Sequence, residues 1–207
     1  MNPWEQVDIN IYEKHMKSNN VMQLQKLNDI MGNQLKYNKP FVGILGVAGG
    51  NGLNHIDTLI TKKVYGIDIN KEYLEICKSR YCELRDILET IHSDLSDDTI
   101  ALPFTNLLIC NLVIEYIGVK QFCKIIERNS DYIEVISCVI QKNNGDYFVS
   151  HTDEGKDLHK LEAVHHDIKE FALTKELIDL NFQCILREKY ALPNSKEFIR
   201  LDYIKST

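Results

Sequence analysis

The stretch from Phe41 to Asn70, FVGILGVAGGNGLNHIDTLITKKVYGIDIN, constrains the fold of this 207-residue chain more than any other part of it. Phe41 to Leu45 is an apolar strand that runs into a glycine-dense turn holding Gly46, Gly49, Gly50 and Gly52. A short helical stretch over Leu53 to Ile60 is expected next, then a second apolar strand, Val64 to Ile67, closed by Asp68. Strand, glycine loop, helix, strand and acid in that order make a βαβ unit suited to a nucleoside. Glycine permits the tight turn and lets backbone N–H groups approach a ligand, while the acid can accept two hydrogen bonds from a ribose diol. A plain tight turn does not call for so many glycines. Asp68 could instead cap the helix that follows, but Asn70 is already placed for that role.

The rest of the chain alternates helical and strand patterns. Residues 8–36 carry Ile11, Val21, Leu24, Leu27, Ile30 and Met31 at helical intervals, with a break near Ser18-Asn19-Asn20. Asn70 should cap a helix covering Tyr73, Leu74, Cys77 and Tyr81, and a third strand should end near His92. The run Leu107 to Ile114 is continuously apolar, as in a strand buried on both faces, and Tyr132 to Ile140 is a second such run, with a helix near Lys120 to Arg128 between them. Gln141 to Asp167 is polar, holds four of the seven histidines, and reads as an insertion or lid. A helix from about Thr174 to Leu180 precedes two alternating strands joined by a turn at Leu192 to Ser195, a β-hairpin.

Charge and cysteine usage narrow the partners. A net charge of −6 with no basic run argues against DNA and disfavours structured RNA. The six cysteines lie scattered without a CxxC pair, the pattern of free thiols and not of a metal site or disulfide framework. The N-terminus lacks a charged region followed by an apolar one, and no segment approaches membrane-span length, so a reduced, cytoplasmic protein with no membrane partner is expected. His165-His166-Asp167 could suggest a metal or a base, but adjacent histidines point apart on any regular element, no second pair has ligand spacing, and a solvated helix start is the structural reading.

The loop decides which nucleoside. A nicotinamide dinucleotide site wants G-x-G-x-x-G, but Gly50-Asn51-Gly52 is followed by Leu53, Asn54 and His55, so the third glycine is missing. Small residues stand instead at alternate positions, Ala48, Gly50 and Gly52. With these motifs the chain resembles the class I S-adenosylmethionine-dependent methyltransferases of the small bacterial kind, from Val42 to the C-terminus. The resemblance rests on GVAGGNG as the first motif, VYGIDIN with its acid Asp68, Ser93-Asp94-Leu95 after the third strand, LLICNLVIEYI at the fourth, and the C-terminal hairpin. It implies an α/β, Rossmann-like three-layer sandwich with a mostly parallel seven-stranded sheet ending in an antiparallel hairpin. It also implies one domain over residues 1–207, with an N-terminal helical cap at 1–38 and the core at 39–207.

The same resemblance implies S-adenosylmethionine as cofactor, held by Gly46, Val47, Ala48, Gly50, Gly52, Asp68, Ile69, Asp94, Leu95 and Asn111. Asp68 would take the ribose and Asp94 the adenine amino group. Residues facing a small-molecule acceptor would be Tyr12, His15, Glu115, Tyr116 and His166. Gly46 stands where the family usually carries an acid, so another residue should meet the cofactor's ammonium; Tyr12, Glu13 or His15 is within sequence reach. Structural readings stand beside several of these: Asn111 as a strand polar group satisfied by a partner, Glu115 as a helix-start acid, and Trp4 as a packing anchor. Methyl transfer needs mainly alignment, and no catalytic base is singled out among Glu115, His151, His159 and His166. A non-catalytic member of the fold and an NAD(P)-binding protein are the alternatives, and the sequence does not separate monomer from homodimer.

Overall fold

Strong local signals set the frame of this computed structural model, which describes residues 2–143, 158–193 and 195–206. The apolar runs form one seven-stranded sheet ordered β3-β2-β1-β4-β5-β7-β6. Its strands are β1 Phe41–Leu45, β2 Lys63–Asp68, β3 Leu88–His92, β4 Leu107–Asn111, β5 Val135–Asn143, β6 Phe182–Ala191 and β7 Lys196–Lys205. Strands β1 to β5 pair in parallel, while β7 runs antiparallel between β5 and β6. The parallel sheet and the antiparallel C-terminal hairpin are those expected from the sequence.

Five α-helices among the described residues accompany the sheet: α1 Ile9–Lys17, α2 Gln23–Gln34, α3 Lys71–Arg80, α4 Ile114–Asn129 and α5 Glu170–Asp179. Asp8 caps α1 by accepting from Asn10 N and Ile11 N, and Asn70 caps α3 by accepting from Glu72 N and Tyr73 N, as foreseen for Asn70. Strand β4 explains why both faces need helices. Leu108 and Cys110 join α4 and α5 in one apolar cluster, while Leu107 and Ile109 join α2 and α3 on the other side. Every side chain from Leu107 to Cys110 is fully buried, the pattern of a central parallel strand. No helix among the described residues is long and apolar enough to cross a membrane.

Several boundaries differ from the sequence reading, each for a local reason. The expected helix over Leu53 to Ile60 is only a 3-10 turn, Leu53–His55, because Asp57 draws the chain into a turn by accepting from Leu59 N and Ile60 N. The apolar run Leu107 to Ile114 is a strand only as far as Asn111. Leu112 then takes a positive φ of 56° and donates its N–H to Val139 O, and Ile114 already opens α4. That helix therefore begins before Lys120, and it kinks at Gly118, where φ is 76°. β5 continues to Asn143, α5 starts at Glu170, and His159–Val164 forms a 3-10 turn. Most of the expected lid, including His151, lies outside the described residues, as does Asn194 in the hairpin turn.

Gly50 holds the glycine loop against α3. Its φ is 86°, and a Cβ there would lie 2.6 Å from the Tyr81 ring and 2.9 Å from Cys77 Sγ and Leu53 Cδ1. Gly50→Ala is therefore expected to destabilise the protein by about 2 kcal/mol or more, read as a lower urea midpoint at unchanged slope. A midpoint equal to wild type would contradict this account of the loop.

Candidate cofactor and acceptor site

The site lies at the carboxyl ends of the parallel strands, where the strand order reverses between the paired strands β1 and β4 and an open α/β sheet offers its crevice. At the tip of β2, Asp68 is only 8% exposed. One carboxylate oxygen accepts from Ala48 N at 2.8 Å and the other from Asn70 N at 2.9 Å, so the acid fixes the glycine loop to the start of α3. Burial raises its pKa above the usual carboxylate range, and the backbone N–H bonds oppose that rise. Each oxygen keeps a further lone pair for a ligand hydroxyl. Ala48 reaches Asp68 through a left-handed backbone, φ 47°, beside Gly46 at φ 69°.

The N-terminus roofs this floor. A 3-10 turn at Pro3–Gln6 leads into α1, and Asn70 Nδ2 donates to Trp4 O at 2.9 Å. Glu13 of α1 pairs with Arg80 of α3, and Arg80 also donates to Gly49 O. Trp4 meets Tyr12 and Tyr116 edge-on, at centroid separations of 5.5 and 4.9 Å, and Tyr12 stacks on Tyr73 at 6.4 Å. Burial raises the hydroxyl pKa of Tyr12, Tyr73 and Tyr116, so all three are neutral rings. Trp4 is thus a packing anchor, and it packs over the site.

Between roof and floor is a cavity of about 150 Å³. Of the residues expected to hold the cofactor, Gly46, Ala48, Asp68, Ile69, Asp94, Leu95 and Asn111 line it. Val47, Gly50 and Gly52 do not: Val47 is buried under Gly66, Gly50 faces Tyr81, and Gly52 lies against Met31. Their part is to shape the loop. Of the acceptor-facing set, Tyr12, His15, Glu115 and Tyr116 line the cavity. His166 does not. Its backbone N–H donates to Glu115 O, its side chain is exposed, and the ring lies outside against Gly118, while its neighbour His165 lines the cavity instead.

The polar groups here differ in how they are satisfied. Asp94 accepts from Ser96 N and Ser96 Oγ with one oxygen, holding the turn after β3. Asn111 exchanges two 2.9 Å hydrogen bonds with Gln34 of α2, so its side chain is a structural clamp, and Gln34 also donates to Ser137 Oγ. Gly46 does leave the loop without an acid, and Val113 Cγ2 lies 3.2 Å from where its Cβ would be. Glu115 is a helix-start acid in the first turn of α4, and it is also buried: it is 2% exposed, and Gln141 N donates to its Oε1 at 2.7 Å. Glu115 Oε2 and Tyr73 Oη are buried without a hydrogen-bond partner among the described residues, and both residues line the cavity. Two buried polar atoms left unsatisfied on residues of one cavity call for a partner there, a water or a ligand. Sequence reasoning did not single out Gln141 or Lys196, which also line it, and weighed His165, a third, only together with His166. Burial lowers Lys196 to about 8 and moves His165 below its usual value. Nothing local marks Lys196, which sits in an ordinary strand pattern; Gln141 was visible only as the first residue of the polar 141–167 stretch.

Burial pushes the Glu115 carboxyl up to about 7, whereas an unfolded Glu titrates near ~4.3. The folded state therefore holds the proton more tightly, and the cost of ionising Glu115 is absent at low pH, grows as pH rises from about 4 and is complete above about 7. Glu115→Gln is expected to stabilise the ligand-free protein by about 3 kcal/mol at pH 8 and by little at pH 5, in paired urea titrations. An equal change at both pH values would contradict the burial of this charge.

No family model matches the chain, and no curated protein matches it in sequence. Solved structures do match. Magnesium protoporphyrin IX methyltransferase (ChlM) from Synechocystis PCC 6803 with bound SAH is similar at a TM-score of 0.71 and 13% identity, covering 98% of this chain and 96% of that one. The N-methyltransferase NodS from Bradyrhizobium japonicum WM9, in complex with S-adenosyl-L-homocysteine, gives 0.66 and 10% identity over 94% and 96%. The [4+2]-cyclase SpnF gives 0.64 and 8% over 88% and 81%. Identities this low speak for architecture and leave chemistry to the site. The chain has the fold of the class I S-adenosylmethionine-dependent methyltransferases.

Proposed function

We propose that this chain is an S-adenosylmethionine-dependent methyltransferase acting on a small-molecule acceptor by in-line methyl transfer. The observation that carries the reading is Asp68, a buried acid at the tip of β2, opening onto a roofed cavity that the glycine loop also lines. Asp68 would hold the ribose hydroxyls, Asp94 the adenine amino group, and Ile69 and Leu95 the flanks of the base. Bound S-adenosylmethionine brings a methyl group already activated by the sulfonium charge. What remains for the protein is alignment and the exclusion of water. Trp4, Tyr12 and Tyr116 supply the second, and their neutral ring faces suit a cation.

A small acceptor fits the enclosed cavity and the acidic chain, and ChlM and NodS are named for methyl transfer to a porphyrin and to nitrogen. Four of the six free cysteines are buried, in keeping with a single cytoplasmic domain. A non-catalytic role is the second reading, favoured by Gly46 in place of the usual acid. Incubation with methyl-labelled S-adenosylmethionine and a panel of small amines, alcohols, carboxylates and thiols separates the two. Label transfer supports the enzyme; S-adenosylhomocysteine binding with no transfer to any class would favour the non-catalytic reading.

A further inference from the structure

Among the described residues, Glu115 is the one carboxylate that is fully buried, lines the cavity and leaves an oxygen without a partner. Asp202 is as deeply buried but fully engaged, and both oxygens of Asp68 accept from the backbone. The hydrogen bond from Gln141 N turns Glu115 toward β5. β4 stands between β1 and β5 in the sheet, so this direction leads away from the glycine loop. Most of the expected cofactor contacts gather at the tips of β1, β2 and β3, with Asn111 at the tip of β4. Glu115 lines the cavity from the first turn of α4, together with Gln141 of β5 and Lys196 of β7.

We propose, on the basis of the methyltransferase reading above, that Glu115 is a catalytic residue of the acceptor subsite, its Oε2 facing the methyl group to be transferred and taking the proton of an acceptor N–H or O–H. The proton passes from the acceptor heteroatom to Glu115 Oε2. The lone pair left on that atom forms the new bond to the methyl carbon, and the methyl–sulfur pair departs onto sulfur, leaving a neutral thioether. Glu115 returns the proton to solvent when product leaves. Its burial supports the role, since a carboxyl titrating at about 7 is a matched base at neutral pH. Of the groups around it, Asp167 raises its pKa further and the Gln141 N–H lowers it. Tyr116 and Cys138 are held well above their usual values and stay neutral, Lys196 titrates near 8, and His165 lies below its usual value. His15 lines the cavity from the α1 side.

The test needs no acceptor. S-adenosylmethionine and S-adenosylhomocysteine differ at sulfur, a methylated cation in one and a neutral thioether in the other. A carboxylate facing that methyl group distinguishes them only when ionised. Calorimetric titration of the full chain with each ligand, from about pH 6 to about pH 8.5, should show the preference for S-adenosylmethionine growing roughly five- to tenfold as pH passes through 7. Glu115→Gln should bind S-adenosylhomocysteine and show a flat ratio. A flat ratio in wild type, or a step that persists in Glu115→Gln, overturns the proposal. So does an equal loss for both ligands in the variant that spares 5′-methylthioadenosine, which would place Glu115 at the cofactor's ammonium. If Glu115→Gln does not fold, His15→Gln, His165→Gln and Lys196→Met decide together: a step retained in all three assigns it to Glu115, and a step lost in any of them overturns the assignment. Wild type that binds neither ligand defeats the methyltransferase reading itself, a result unlike a flat ratio.

Discussion

Asp68→Ala is expected to weaken S-adenosylhomocysteine binding between about tenfold and about a hundredfold, the cost of about 1.5–3 kcal/mol for charge-assisted hydrogen bonds to a ribose diol. The same change should lower stability, because Ala48 N and Asn70 N both lose their acceptor. Each buried, unsatisfied N–H costs about 1–3 kcal/mol. Ala48 feels this most, since its left-handed backbone is held beside β2 by that bond. Asp68→Asn separates the two effects. One amide oxygen can still accept from a backbone N–H, but the NH2 group cannot replace the second acceptor. Calorimetry and urea titration on the same samples read binding and folding independently. Unchanged affinity in a folded Asp68→Ala protein would remove the ribose from this residue.

Asp202→Ala should be among the most damaging single changes away from the cavity. Asp202 is fully buried and Arg200 is 4% exposed. Arg200 Nε donates to Asp202 Oδ1 at 3.0 Å, Ser137 Oγ donates to the same oxygen, and Tyr37 Oη donates to Asp202 Oδ2 at 2.8 Å. Removing the acid strands a guanidinium in the protein interior, at an expected cost of about 3–5 kcal/mol. Replacing both partners, as Arg200→Met with Asp202→Leu, should cost much less, because no unpaired charge remains. The comparison is a double-mutant cycle by urea unfolding. A single-mutant loss under about 1 kcal/mol would show that water reaches this pair. The network also serves the site: Ser137 accepts from Gln34, and Gln34 fixes Asn111 at the tip of β4.

What the sequence revealed, and what it hid, follows the range of each interaction. Asn70 was legible as a cap because its partners lie two and three residues away. The strand–loop–acid unit was legible from the residue types of its successive segments, and its acid does meet the loop 20 residues before it. The end of β4 was not, since Leu112 adopts a left-handed backbone that its own side chain gives no reason to expect. Asn111 could be read as a cofactor contact or as a satisfied polar group. It lines the cavity and is satisfied by Gln34, 77 residues earlier. Glu115 was legible as a helix-start acid, and it does stand in the first turn of α4; only the arrival of β5 behind it shows that the acid is buried. His165 and His166 are neighbours in sequence that face opposite ways, and no sequence signal chooses between them.

The central claim is that the roofed cavity over Asp68 takes a methyl-donor nucleoside and not a dinucleotide. Parallel calorimetric titrations of the wild-type chain with S-adenosylhomocysteine and with NAD test it most directly. Micromolar binding of S-adenosylhomocysteine with no heat from NAD is the predicted result. Binding of NAD alone, or of neither ligand, would contradict the account and leave the chain with a methyltransferase fold but without that chemistry.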